Sequence, residues 1–149
     1  MKKLIVVAVM LMLAGCTTPQ MKEESYQAEK HYMESIKNGS VDCVDKAMCD
    51  KAFQLTKVYI NNNSDMRVQQ SDDTTISTFG PIHEGYVAMS ATKTPGKGDS
   101  STITIAVDCR GIDRELQPIE FSRSFNPACL RKVSKIYDGF QPYIESRLK

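Results

Sequence analysis

The chain has 149 residues, 41% apolar and 25% charged, with no Trp. This balance fits a globular chain of about one domain's length and excludes a disordered polyelectrolyte or a collagen-like repeat. With 19 basic and 18 acidic side chains the formal charge is +1, which excludes general nucleic-acid binding through phosphate neutralisation.

Met1-Lys2-Lys3 precedes a ten-residue apolar run, Leu4 to Leu13. A bilayer-spanning helix needs about 20 residues, so this run is too short to cross. A basic start and a short apolar stretch make the pattern of a secretory signal peptide, here residues 1–15. Leu13-Ala14-Gly15-Cys16 stands at its end.

In these residues the chain resembles the bacterial lipoproteins, whose signal closes on a Leu, two small residues and a Cys. The resemblance covers residues 1–16 and implies cleavage before Cys16, a diacylglycerol on its sulfur and an acyl chain on its new amine. Two or three buried chains anchor stably, at about 0.8 kcal/mol per CH₂. Losing Lys2 and Lys3 takes the side-chain charge from +1 to −1. In that family an Asp after the Cys commonly retains the product in the inner membrane. Here the residue is Thr17, so the expected location is the outer membrane, lipid-anchored, with the domain facing the periplasm.

Residues 16–21 read as a short polar tether. Residues 22–38 are charged, with Tyr26, Met33 and Ile36 at loose helical spacing, and predict a weakly amphipathic helix. Asn38-Gly39-Ser40 ends it, since Gly suits the left-handed position after a helix. The residues 40–149 then read as a single globular domain.

A second helix is expected from about Asp45 to Ile60, where Met48, Ala52, Leu55 and Tyr59 make one stripe flanked by Phe53 and Ile60. Asn61-Asn62-Asn63-Ser64 is expected to stop it. Strands follow. Met66, Val68 and Gln70 alternate, Ser71-Asp72-Asp73 turns the chain, and Thr74 to Phe79 returns. Gly85 to Thr92 puts Val87, Met89 and Ala91 on one face, and Thr94 to Ser100 reads as a long hairpin loop. Thr102 to Cys109 alternates most cleanly, with Ile103, Ile105, Val107 and Cys109 inward. Residues 112–124 are ambiguous, with a short edge strand possible at Ile119 to Ser122.

The last element starts with Asn126 as N-cap and Pro127 at the first helical position. Leu130, Val133, Tyr137, Phe140, Ile144 and Leu148 hold one face through Gly139 and Pro142, which predicts one kinked helix. The fold class is therefore α+β: a two-layer arrangement in the order α-α-β-β-β-β-α, an antiparallel sheet of three to five strands packed by two amphipathic helices. The element order resembles helix-grip or TBP-like modules of some envelope lipoproteins, from which no function follows.

With Cys16 taken by lipid, Cys43, Cys49, Cys109 and Cys129 remain, an even count that reads as two disulfides in an exported chain. Of three connectivities the local one, Cys43–Cys49 with Cys109–Cys129, is expected. Six residues of continuous helix rise about 9 Å, whereas bridged Cα atoms lie about 4.4–6.8 Å apart. The helix holding Cys49 must then begin after Cys43, and Asp45 is its natural N-cap. A helix starting at Ser40 would instead require long-range pairing.

Candidate chemistry is thin. His83-Glu84 is half of a zinc-protease motif, but position 87 is Val where the second His would stand. Asp72-Asp73 lacks the further oxygens and closing Glu of a calcium loop. Gly96-Lys97-Gly98 has no following helix to bind phosphate, and no Ser has the nucleophile-elbow context. Arg131, Lys132, Lys135, Arg147 and Lys149 lie mainly off the apolar stripe of the last helix, as a solvated face or a surface for an anionic lipid or acidic partner. The expectation is a non-enzyme without cofactor, catalytic residue or metal site, holding the membrane through Cys16 and binding an envelope protein. The alternative is an inhibitor or capture lipoprotein that holds an exported enzyme or small ligand, with loop 94–100 as a contact element.

Overall fold

The computed structural model describes residues 19–112 and 126–149. The chain opens with helix α1 (Pro19–Ser35), closed by a 3-10 turn at Ile36–Asn38. Strand β1 (Ser40–Cys43) follows, then α2 (Lys46–Asn63), β2 (Val68–Ser71), β3 (Thr75–Thr78), β4 (Val87–Pro95), β5 (Ser101–Cys109) and α3 (Pro127–Leu148). The five strands form one antiparallel sheet in the order β1-β5-β4-β3-β2. The class is α+β. The expected fold omits β1, which lies between the first two helices and becomes an edge of the sheet.

The sheet is two-faced because its strands alternate. Ile103, Ile105, Val107 and Cys109 of β5 are buried, as are Val87, Met89 and Ala91 of β4 and Ile76 of β3. Opposite them, Thr104, Ala106 and Asp108 of β5 are exposed. Helices α2 and α3 pack on the apolar face and on each other, and α1 packs along α3. Hydroxyl groups take over where the ladder stops. Tyr137 accepts from the Val107 amide at 3.1 Å, and Thr78 Oγ1 accepts from the Met89 amide at 2.9 Å.

Helix α2 starts as its sequence requires. Asp45 is extended and accepts from the Met48 amide at 2.8 Å. The buried face is centred on Cys49, Ala52, Phe53, Thr56, Tyr59 and Ile60, with Met48 and Leu55 at its margin. The three asparagines do not stop the helix. Asn63 Nδ2 donates to the Tyr59 carbonyl at 2.9 Å, and the end falls at Ser64, whose amide bonds Ile60 O at 2.9 Å. The Asn63 side chain thus serves the final turn rather than competing with it.

The Ser71-Asp72-Asp73 turn is held by Asp72, which accepts from the Thr74 and Thr75 amides at 2.9 and 2.8 Å. The β4–β5 hairpin is longer in strand and shorter in loop than its Gly, Pro and Lys residues imply. Thr94 and Pro95 pair with Thr102 and Ser101, and the loop is 96–100. Proline is tolerated as the last residue of the strand, where little of the ladder remains. At the other end, α3 is one helix through Gly139 and Pro142, with Leu130, Val133, Tyr137, Phe140 and Ile144 buried and Leu148 half-buried. Asn126 accepts from the Ala128 amide at 3.0 Å, with Pro127 leading the helix.

Both disulfides are local. Cys43–Cys49 joins the end of β1 to the first turn of α2, with Cα atoms 5.1 Å apart. Cys109–Cys129 joins the end of β5 to the first turn of α3, at 5.9 Å. The expected edge strand at 119–122 lies outside the described residues.

Candidate functional site

An open groove of about 540 Å³ lies beside β1. Ser40, Val41 and Asp42 form one wall. Met48 of α2 and Gln141, Glu145, Leu148 and Lys149 at the end of α3 form the other. The groove lies where the C-terminal end of α3 passes the four-residue edge strand β1. The floor is partly apolar through Met48 and Leu148, and the rim carries Asp42, Glu145 and Lys149.

The backbone of β1 gives this groove a hydrogen-bonding edge. The Ile105 amide donates to the Gly39 carbonyl at 2.8 Å, and Val41 and Cys43 stand opposite Ile103 and Ser101. Bonded and non-bonded pairs alternate in an antiparallel ladder. The amides and carbonyls of Ser40 and Asp42 therefore point away from β5, along the open side of the strand. Among the described residues, no strand pairs with that side. The Ser40 and Asp42 side chains lie on the solvent face, where Thr104 Oγ1 is 3.0 Å from Ser40 Oγ and the Thr102 hydroxyl donates to Asp42 at 2.6 Å. Val44, directly after β1, is 74% exposed.

Gly39 sets where β1 begins. A Cβ there would lie 2.8 Å from the ring of Tyr137, so only glycine lets the chain pass close to α3. The preceding turn is clamped to the same helix. Asn38 Nδ2 donates to Asp138 at 2.9 Å, and His31 Nε2 lies 2.8 Å from the other carboxylate oxygen. Nearby, the Tyr59 hydroxyl donates to the Ile136 carbonyl at 2.6 Å. Burial, and then the Asp138 carboxylate, push the Tyr59 phenol up to about 12.

The residues singled out from sequence do not converge on this groove, apart from Lys149. Cys16 lies outside the described residues. Cys43, Cys49, Cys109 and Cys129 are all in disulfides. His83 sits in the β3–β4 loop with its ring edge against Tyr86, centroids 5.0 Å apart. Glu84 receives a 3.4 Å contact from Asn126. Hydrogen bonds from Thr74, Thr75 and Gln70 hold the Asp72 carboxyl down at about 2, in a turn and not in a ligand cluster.

The basic residues of α3 are divided. Lys132 pairs with Asp65 at 2.6 Å and Arg147 lies over the Tyr143 ring at 3.9 Å, while Arg131 and Lys135 are exposed. Partial burial works against ionisation of Asp65, yet Lys132 and the Val87 amide hold its pKa below the usual carboxylate value. Sequence reasoning missed Ser40, Asp42, Met48, Gln141 and Glu145. The only available signal was the alternation of Val41 and Cys43 directly after Gly39.

Comparisons with protein-family models, curated proteins and solved structures give no match, so the likeness to helix-grip modules remains one of element order.

Proposed function

We propose that this protein is a lipoprotein of the bacterial cell envelope, held at the outer membrane through Cys16 and working there as a non-enzymatic interaction module. The observation that carries the reading is the cysteine pairing. Four of the five cysteines close two bridges with one another, and the fifth stands at the end of Leu13-Ala14-Gly15-Cys16. Paired thiols suit an exported, oxidising compartment. A remaining thiol at that position suits a covalent lipid. The groove beside β1 and the exposed hairpin tip at 96–100 supply contact surfaces.

Intact mass of protein extracted from the envelope tests the anchor. The expected species begins at Cys16 and carries lipid, and Cys16→Ser should move the protein out of the membrane fraction. An unmodified chain starting elsewhere would overturn the reading. The exposed tip also supports a capture role, in which one exported enzyme is held in stoichiometric complex. Co-purification separates the two: a single lytic enzyme speaks for capture, several subunits of one assembly for an accessory role.

A further inference from the structure

We infer that the outer edge of β1, with the groove beside it, receives an extended segment of a partner protein as a sixth strand, apolar at alternate residues and basic between them. The inference deepens the proposed interaction role and rests on it. Backbone supplies the affinity in this mode: Ser40 and Asp42 each offer an outward amide and carbonyl, at the spacing an added strand uses. Side chains of that strand alternate between faces. Those on the helix side enter the groove against Met48 and Leu148, which are half-buried and leave apolar surface to cover. Those on the solvent side fall beside the exposed Asp42 carboxylate, and Glu145 adds a second negative charge on the rim against the single Lys149. A cation between apolar residues is therefore the complementary pattern.

The same charges argue against a second copy as occupant. Antiparallel pairing of β1 with itself sets the two Asp42 side chains on one face, opposite or diagonal, within about 5–8 Å, where like charges repel. A bare edge strand also invites unwanted pairing, and a short strand bearing an outward carboxylate limits that to partners of the right charge.

The test uses the full chain in detergent and a short synthetic peptide of alternating Val and Lys. Binding should slow amide exchange at Ser40 and Asp42 by about tenfold or more, with little change at Val41 and Cys43, which already face β5. Asp42→Pro removes an outward amide and the exposed carboxylate that accepts from Thr102, but no ladder bond to β5, so the thermal midpoint should stay near that of the parent while peptide protection is lost. If that variant fails to fold, Glu145→Lys provides the second measurement: it should weaken the Val-Lys peptide and favour a Val-Glu peptide. Unchanged exchange at Ser40 and Asp42, or a folded Asp42→Pro chain that binds as before, overturns the inference. So does a dimer in which both amides are protected without peptide. Mass of the same preparation reports lipid on Cys16. Binding by a chain without lipid would sink the anchor and leave the edge site, whereas a lipidated chain that ignores the peptide would do the reverse.

Discussion

Tyr59 lies between the two helices that cover the sheet. Its ring centroid is 5.5 Å from that of Phe140 and 5.0 Å from that of Tyr143, and its hydroxyl bonds the Ile136 carbonyl. Gly139 makes room for it, since a Cβ there would lie 2.8 Å from the hydroxyl oxygen. Tyr59→Phe keeps the ring and removes one buried donor, so it should cost about 0.5–1.5 kcal/mol in urea unfolding. The pH dependence has a definite sign. The folded-state value is raised, so its contribution is complete below about pH 10 and is lost as pH rises toward about 12. Urea midpoints measured through that range should fall more steeply for the parent protein than for Tyr59→Phe.

Helix α3 belongs to the core along most of its length. Phe140 and Ile144 are fully buried, and Tyr137 closes the β5 ladder beyond the reach of β1. Phe140→Ala should cost about 3–5 kcal/mol, against a typical domain stability of about 5–15 kcal/mol. A chain ending at Ile136 should therefore lose its cooperative thermal transition, whereas a detachable interaction helix would leave the transition near the parent temperature. This helix was legible in the sequence because its apolar spacing, its N-cap and Pro127 all point the same way. The sheet was legible for the same reason in β5, where four inward apolar residues alternate without interruption. Strand β1 was not. Its four residues contain only two alternations, and their strand geometry comes from pairing with β5, 60 residues away between Asp42 and Thr102. The groove was hidden with it, since Met48, Gln141 and Glu145 acquire a common role only when β1 is placed between α2 and α3. The long hairpin loop was over-read at Thr94 and Pro95, because the alternation of β4 is readable only as far as Thr92. Lys93 in fact bonds Asp50 at 3.2 Å and lies over the Phe53 ring at 5.2 Å, contacts that no local pattern encodes.

At the scale of the molecule, the two bridges have unequal effects. Cys43–Cys49 spans a separation of 6 and fixes one corner between β1 and α2. Cys109–Cys129 spans 20 and ties the most regular strand to the helix that covers it. In the chain-entropy description, closing a loop of that length contributes about 3 kcal/mol. The double variant Cys109→Ala/Cys129→Ala should lose an amount of that order in urea unfolding, and Cys43→Ala/Cys49→Ala should lose less. The proposed lipid on Cys16 bears on orientation as well. Only Thr17 and Thr18 separate Cys16 from α1, a reach of about 10 Å. Because α1 packs along α3, a lipid on Cys16 would hold the whole domain close against the bilayer.

The longer bridge also decides what a protease can accomplish. Hydrolysis of any peptide bond between Cys109 and Cys129 leaves both products in one covalent molecule. The mass rises by one water, and a non-reducing gel registers no loss. Reductant then frees the C-terminal fragment, with all or most of α3, from everything joined to Cys16. In an oxidising compartment a nicked chain would keep its covering helix, while the same cut after reduction would release that helix and expose the apolar face of the sheet.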